Sequence, residues 1–388
     1  MTIFVPMLLL ALSPVAFPAV NRFSQRIGAI DHPGHRKIHQ WAISRLGGLG
    51  IFLLISLGVL CAIRMNSDLS SWPLLTPLSF GLGATFLLGF VDDLVQLSSK
   101  LKLLLQILIA VTVFTFGFRL TSLNLGPGYV VDLGGFAAPV TVFWIVGVMN
   151  ALNLIDGMDG LCGGVSAITF VMIGLFAHFF QNAPLVMLSA ICASACLGFL
   201  LYNFHPARMF MGDSGSMTLG FLLATMTMAI EPGKVGSLPL YIPFLLLVFP
   251  LLDTTVAILR RTLRSFHIDP VAPHVAKRRR WLRAFKTILI ADGDHIHHRL
   301  LKRGLGQRKV AVLLYSLSLS GSLVSLLMLH LPVPFSWIVG FSTLYGIYLL
   351  IGSLDYLEFS SSKERSEYLE KSEAELLQPR SKMVRKVS

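Results

Sequence analysis

The chain has little charge, and acids are its scarcest charged residues. Charged residues make up 13% of its 388 positions, with 20 Asp plus Glu against 32 Lys plus Arg, while hydrophobic residues reach 54% and mean hydropathy is +0.72. That balance excludes both an ordinary soluble globular domain and a disordered chain. Cysteine is scarce as well. The four present (Cys61, Cys162, Cys192, Cys196) lie in or beside apolar segments without zinc-type spacing, so they read as small core residues and imply no disulfide framework. The first 20 residues hold no Lys or Arg to form the charged region of a signal peptide. No fixed-period repeat is evident. None of the loops is a recognisable basic folded domain, so the net charge of +12 does not point to nucleic acid.

What the chain does have is long apolar runs. Spanning segments need about 20 mainly apolar residues, and about eleven can be placed: 3–20, 46–64, 73–91, 101–118, 138–155, 162–180, 184–202, 216–231, 238–259, 309–330 and 333–353. The expected class is an all-α polytopic membrane protein. All but three of the 32 Lys and Arg fall on alternate loops of one side, leaving Arg64, Arg119 and Lys234 opposite. The positive-inside bias makes the basic side cytoplasmic, with the N-terminus outside and the C-terminus inside. The charge is therefore topological first.

Residues 1–355 read as one membrane domain with a cytoplasmic insertion at 260–309, and 356–388 as a polar cytoplasmic tail, of which 360–388 suggests a surface helix and a loose end. Residues 119–137 carry a Gly-Pro-Gly turn between short alternating runs, a signal for a small external β-hairpin. Residues 277–290 put Trp281, Phe285, Ile288 and Leu289 on one helical face and Arg279, Arg283 and Lys286 opposite, which fits an interfacial helix on anionic lipid or a plain topological anchor.

The few acids are clustered. Asp92 and Asp93 are adjacent at the end of the third apolar run, and two carboxylates about 5 Å apart repel by roughly 3 kcal/mol at an effective dielectric near 20. A divalent cation, a shared proton or a nearby lysine must relieve that, and Lys100 and Lys102 follow. The fifth run closes with Asn150, Asn153, Asp156 and Asp159, the last two beside Gly157 and Gly160. These oxygen-bearing side chains suit a hard cation or a hydroxyl-rich ligand, or else a turn built on Asx chemistry. Gly212-Asp213-Ser214-Gly215-Ser216 opens the eighth run, offering backbone amides and a dipole end to phosphate and one carboxylate to a metal, although Asp213 would also serve as a helix cap. It lacks the ending of a Walker loop. Asp253 sits inside the ninth run, where an ionisable residue is costly, and reads as functional or as half of an ion pair with Arg260 or Arg261. His295, His297, His298 and Arg299 lack the acid or thiol that would complete a zinc site and fit a pyrophosphate better.

Taken together, these motifs resemble those of the polyprenyl-phosphate N-acetylhexosamine-1-phosphate transferases of glycosyltransferase family 4, integral-membrane enzymes that start bacterial lipid-linked glycans. The resemblance runs from Asp31-His-Pro-Gly-His-Arg-Lys-Ile-His39 and Arg45-Leu-Gly-Gly48 to His295-Ile-His-His-Arg299. It implies that Asp92 and Asp93 stand for the family's acidic pair and Lys102 for a basic residue that meets phosphate. Asn153, Asp156 and Asp159 fall in its Asn-x-x-Asn-x-x-Asp run, Asp213 at its magnesium-ligating aspartate, and the three histidines at its histidine motif. The His-Ile-His-His-Arg form looks like the N-acetylglucosamine branch. Ser44 replaces a usual proline, and the stretch from Arg261 to His295 is longer than family members show.

The resemblance then implies transfer of a sugar 1-phosphate, foremost N-acetylglucosamine 1-phosphate, from a UDP-N-acetylhexosamine to undecaprenyl phosphate, releasing UMP, with Mg²⁺ as cofactor and Mn²⁺ as its substitute. Expected metal ligands are Asn153, Asp156 and Asp213; expected catalytic residues are Asp92, Asp93, Asp156 and Asp213. Lys102, Asn150, Asn153, Asp159, Arg208, His295, His297, His298 and Arg299 are the expected substrate contacts. The site is expected on the cytoplasmic face of a bacterial inner membrane, at the head of a cell-wall or lipopolysaccharide pathway, with homodimerisation left open. A cation-coupled transporter is the competing class, since intramembrane acids also mark ion pathways.

Overall fold

The computed structural model describes residues 3–31, 42–65, 68–126, 129–231, 235, 238–267 and 295–353. The basic amphipathic stretch 277–290, the tail 356–388 and the motif residues from His32 to His39 lie outside the described residues. Apolar runs in lipid must close their backbone hydrogen bonds internally, and here they do so as helices. In chain order these are α1 (Phe4–Ile27), α2 (Gly47–Arg64), α3 (Leu75–Val95), α4 (Ser99–Thr115), α5 (Ala137–Ile155), α6 (Leu161–Phe179), α7 (Ala183–Asn203) and α8 (Gly212–Met228). They continue with α9 (Tyr241–Leu246), α10 (Val248–His267), α11 (Ile296–Lys302), α12 (Gln307–His330) and α13 (Val333–Ser353). Strands β1 (Ile30–Asp31) and β2 (Ile43–Ser44) pair antiparallel between α1 and α2. Strands β3 (Ser122–Gly126) and β4 (Tyr129–Asp132) form the hairpin that the Gly-Pro-Gly turn signalled.

Against the eleven spans read from the sequence, seven helices among the described residues are long and apolar enough to cross a membrane: Phe4–Ile27, Gly47–Arg64, Leu75–Val95, Gly134–Ile155, Leu161–Phe179, Ala183–Asn203 and Gln307–His330. Three of the four differences have local causes. Helices α4 and α8 are 17 residues each, and the run at 238–259 is divided at Leu247 into α9 and α10. Exposed apolar side chains such as Phe143 (77% exposed) and Phe136 (72%) would be a liability in water and are the expected face toward lipid. The chain is a multi-pass membrane protein. The four cysteines are free thiols, and three of them are buried.

Two compact units are present, Met1–Ala257 with Asp292–Thr343, and Ile258–Ala291 with Leu344–Ser388. Among the described residues the second contains only the ends of α10 and α13. The first is organised around α8, in which every residue from Ser214 to Met228 is buried, with α2, α3, α5 and α6 packed around it. Small residues permit that approach, as membrane helices require when no hydrophobic effect drives them together. A Cβ on Gly48 of α2 would fall on Ser214 and the backbone of Gly215, and one on Gly89 of α3 would fall on the backbone of Asp213 and Ser214. Two helices thus touch the first turn of α8 directly.

Because backbone cannot give way as a flexible side chain can, Gly48→Ala and Gly89→Ala should each destabilise by about 1–3 kcal/mol. Gly83→Ala, where an added Cβ meets nothing within 4 Å, should be neutral. Thermal unfolding of the detergent-solubilised protein checks this, and equal transitions for all three variants would contradict it.

Candidate active site

The acidic pair lies in the last turn of α3. A left-handed Gln96 (φ 53°) ends that helix, and Ser98 then caps α4 by accepting a hydrogen bond from the Leu101 amide at 3.4 Å. The tight turn brings Lys102, one turn into α4, back beside Asp92. Lys102 Nζ donates to Asp92 Oδ2 at 2.8 Å and also to Asp213 Oδ2. The other Asp92 oxygen accepts from the Leu97 amide at 2.6 Å. Of the three ways to relieve the paired charges, the structure supplies a nearby lysine.

Asp93 faces elsewhere. Its two oxygens accept from the amides of Asp213 (2.7 Å) and Ser214 (3.0 Å), so a carboxylate from α3 caps the N-terminus of α8. These are amides that the sequence offers to phosphate; in the structure a side chain takes them. The preceding residue, Gly212, has φ 74°, and a Cβ there would meet the Arg45 carbonyl and both Asp93 oxygens. Arg45 itself pairs with Asp31 across β1 and β2.

The end of α5 arrives from the opposite side. Asn153 Oδ1 accepts from Ser216 Oγ at 2.8 Å, joining α5 to α8 one turn after Asp213. Asp156 follows at the end of α5, packed deeply with part of its surface still open, and has no hydrogen-bond or ion-pair partner among the described residues. Burial, then the charges of Asp213, Asp93 and Asp159, push its carboxyl well above the usual range. To ionise there, such a group needs a counter-charge. No three His, Cys, Asp or Glu side chains form a ready-made metal cage among the described residues. The donors at hand, two carboxylates and an amide oxygen, nonetheless fit a hard cation that completes its shell with water and phosphate oxygens.

Other expected contacts have protein partners. Asn150 donates to Gln106 Oε1 and to the Val146 carbonyl, both at 2.8 Å, tying α5 to α4. Asp159 accepts from His205 Nδ1 (2.7 Å) and the Ala207 amide (3.1 Å), which pins the turn after α7. Gly160 receives the Asn203 amide oxygen on its N–H (2.9 Å) and the Tyr315 hydroxyl on its carbonyl (2.5 Å). Nothing in the sequence marks Tyr315. Arg208 is exposed on that same turn.

The histidine motif forms the start of α11. His295 Nδ1 lies 2.8 Å from Asp253 Oδ2, and Asp253 Oδ1 accepts from the Ile296 amide at 2.7 Å, so Asp253 is engaged by this motif where the sequence also offered Arg260 or Arg261. The ring of His297 lies nearly parallel to that of His295, centroids 5.8 Å apart, and 4.3 Å from that of His298. A Cβ on Gly157 would come within 3.2 Å of His297 Nε2, which sets the motif against the loop of Asp156. His298 and Arg299 are half-buried beside it.

Apolar helices that gather aspartates, a lysine and histidines at one end define a membrane enzyme with an anion-handling, carboxylate-rich site. Residues 75–231 match the model of glycosyl transferase family 4. The probable undecaprenyl-phosphate N-acetylglucosaminyl 1-phosphate transferase of Bacillus subtilis is 34% identical over 336 residues, covering 86% of this chain and 85% of that protein. The decaprenyl-phosphate N-acetylglucosaminephosphotransferase of Mycobacterium tuberculosis is 33% identical over 76% of this chain and 74% of its own length. A phospho-N-acetylmuramoyl-pentapeptide-transferase of Staphylococcus carnosus is 33% identical over 57% of this chain and 73% of its own. The chain belongs to glycosyl transferase family 4 and is an enzyme of its phosphotransferase class. A transporter finds no support in these relatives.

His297 yields a pH prediction. It is fully buried with neither ring nitrogen hydrogen-bonded. Burial first and then His298 push it down to about 4, with Asp253 pulling the other way and His295 adding to the lowering. Between the ordinary value of 6.5 and about 4 the unfolded chain binds a proton that the folded one refuses, so stability falls as pH drops through that window. His297→Phe should flatten this part of the pH dependence of the unfolding temperature; parallel curves for variant and parent would contradict it.

Proposed function

We propose that the enzyme transfers N-acetylglucosamine 1-phosphate from UDP-N-acetylglucosamine to undecaprenyl phosphate, releasing UMP and starting a lipid-linked envelope glycan at the cytoplasmic face of a bacterial inner membrane. The observation that carries this reading is Lys102, which joins Asp92 of α3 to Asp213 of α8 beside the unpartnered Asp156. Both substrates are anions. Charge must be neutralised before they meet, and phosphoryl transfer then depends on positioning and electrostatics.

Asp156 and Asp213, with Asn153, would hold Mg²⁺, or Mn²⁺ in its place. When bound, the ion supplies neutralisation of the diphosphate and stabilisation of the leaving UMP. The protein side chains do the rest. Asp93 keeps Asp213 in place by capping its helix. Asp92, held by Leu97, would take the proton of the lipid phosphate, and Lys102 would exchange a carboxylate for a phosphate oxygen. Arg208, His298 and Arg299 are further donors to phosphate and sugar, and His295 contacts the substrate through its second ring nitrogen. His297, held neutral by its burial, would meet substrate without adding charge. Asn150 and Asp159 support the site through Gln106 and His205.

Purified protein given labelled UDP-N-acetylglucosamine and undecaprenyl phosphate should release UMP and form a lipid-linked product, both abolished by EDTA and restored by Mg²⁺. Asp213→Asn should lower kcat by on the order of 10²–10³. Full turnover in that variant, or product formed in EDTA, would overturn the metal assignment.

Removing the lysine tests the electrostatics separately. Lys102→Met leaves Asp92 and Asp213 facing each other without a cation, so its unfolding temperature in EDTA should fall by several degrees. Added Mg²⁺ should restore more of the loss than it adds to the parent; no difference in Mg²⁺ response would argue against a shared cation site.

A further inference from the structure

Asp253 is fully buried inside an apolar helix and takes no part in the scheme above. An ionised carboxylate in such surroundings needs partners, and the structure supplies two, both from the histidine motif. One oxygen faces His295 Nδ1 at 2.8 Å and the other accepts the Ile296 amide at 2.7 Å. A carboxylate accepts only, so Nδ1 is the protonated nitrogen and Nε2 is the one turned to other partners. Nε2 has no hydrogen bond to the protein among the described residues. Neither contact is exchangeable: rotating the carboxylate away from the ring also strips the first amide of α11. Ring tautomer, ring direction and the entry of the helix carrying His297, His298 and Arg299 are therefore set by one residue, 42 positions earlier in the chain.

We propose that Asp253 is a positioning residue for the transfer, acting through His295, an inference that rests on the function proposed above. It keeps the ring proton on Nδ1, so that Nε2 faces the site as an acceptor for a substrate hydroxyl or a protonated phosphate oxygen, and it fixes the direction of that lone pair. An amide in its place can keep the Ile296 contact with its oxygen but presents N–H to Nδ1, which drives the ring proton to Nε2.

The test uses the full chain in detergent. Asp253→Asn should lower kcat about 10- to 100-fold with KM for UDP-N-acetylglucosamine held within about twofold, and Asp253→Glu should recover part of the loss. His295→Gln combined with Asp253→Asn should be no worse than His295→Gln alone. Unchanged kcat in Asp253→Asn, or losses that multiply in the double variant, would overturn the proposal. Ring-¹⁵N histidine spectra give a readout that needs no turnover. The signal lost in His295→Gln should report a protonated Nδ1 in the parent and a shift of that proton in Asp253→Asn. Should the parent fail to turn over any UDP-N-acetylhexosamine, the proposed function falls, and an unmoved His295 signal would then separately sink the positioning role.

Discussion

Lys102 carries a single positive charge into a region where Asp92, Asp93, Asp156 and Asp213 come together from α3, α5 and α8, and the arrangement of the site follows from how that one charge is shared. Coulomb repulsion among carboxylates in a weakly screened interior amounts to several kcal/mol. Each acid is handled differently. Asp92 and Asp213 share the ammonium, Asp93 takes the positive end of α8, and Asp156 is left without a counter-charge. The unequal distribution concentrates the deficit at the carboxylate nearest the Gly157 loop. The proposed divalent cation is the species that would balance it.

The surroundings make this tension sustainable. Helix α8 is buried along nearly its whole length and is approached at its first turn by Gly48 and Gly89, so Asp213 has little freedom to move away from its neighbours. The loop after α5 is fixed by Asn203, His205 and Tyr315, which hold Asp159 and Gly160 while Asp156 stays open. Sites built on rigid helices position functional oxygens more tightly than sites on loops do.

The histidine motif adds a second kind of control. It gathers three imidazoles, yet burial keeps His297 neutral and Asp253 orients His295. Whether the motif donates or accepts depends on which nitrogen carries a proton as much as on net charge. Carboxylates thus stand in two groups, one beside Lys102 and one against a ring.

Much of this was legible in the residues alone. Apolar runs specified a multi-pass helical protein, Gly-Pro-Gly signalled the hairpin, and the order of the acid, asparagine and histidine motifs carried the family, because composition and periodicity are local properties of a chain. Pairings were not legible. That Asp93 caps α8, that Asn150 serves Gln106, that Tyr315 holds Gly160 and that Asp253 belongs to His295 depend on the rotation and depth of helices far apart in sequence. The count of seven spans among the described helices against eleven apolar runs has a related origin: hydropathy does not register where Leu247 divides a run, or that α8 is 17 residues long. Sequence by itself determined which chemical groups are available and that they sit in a membrane. Only the packing of α3, α5, α8 and α11 decided which of them neutralise one another and which remain for substrate, since an electrostatic partnership is fixed by distances of a few ångströms that no linear pattern encodes.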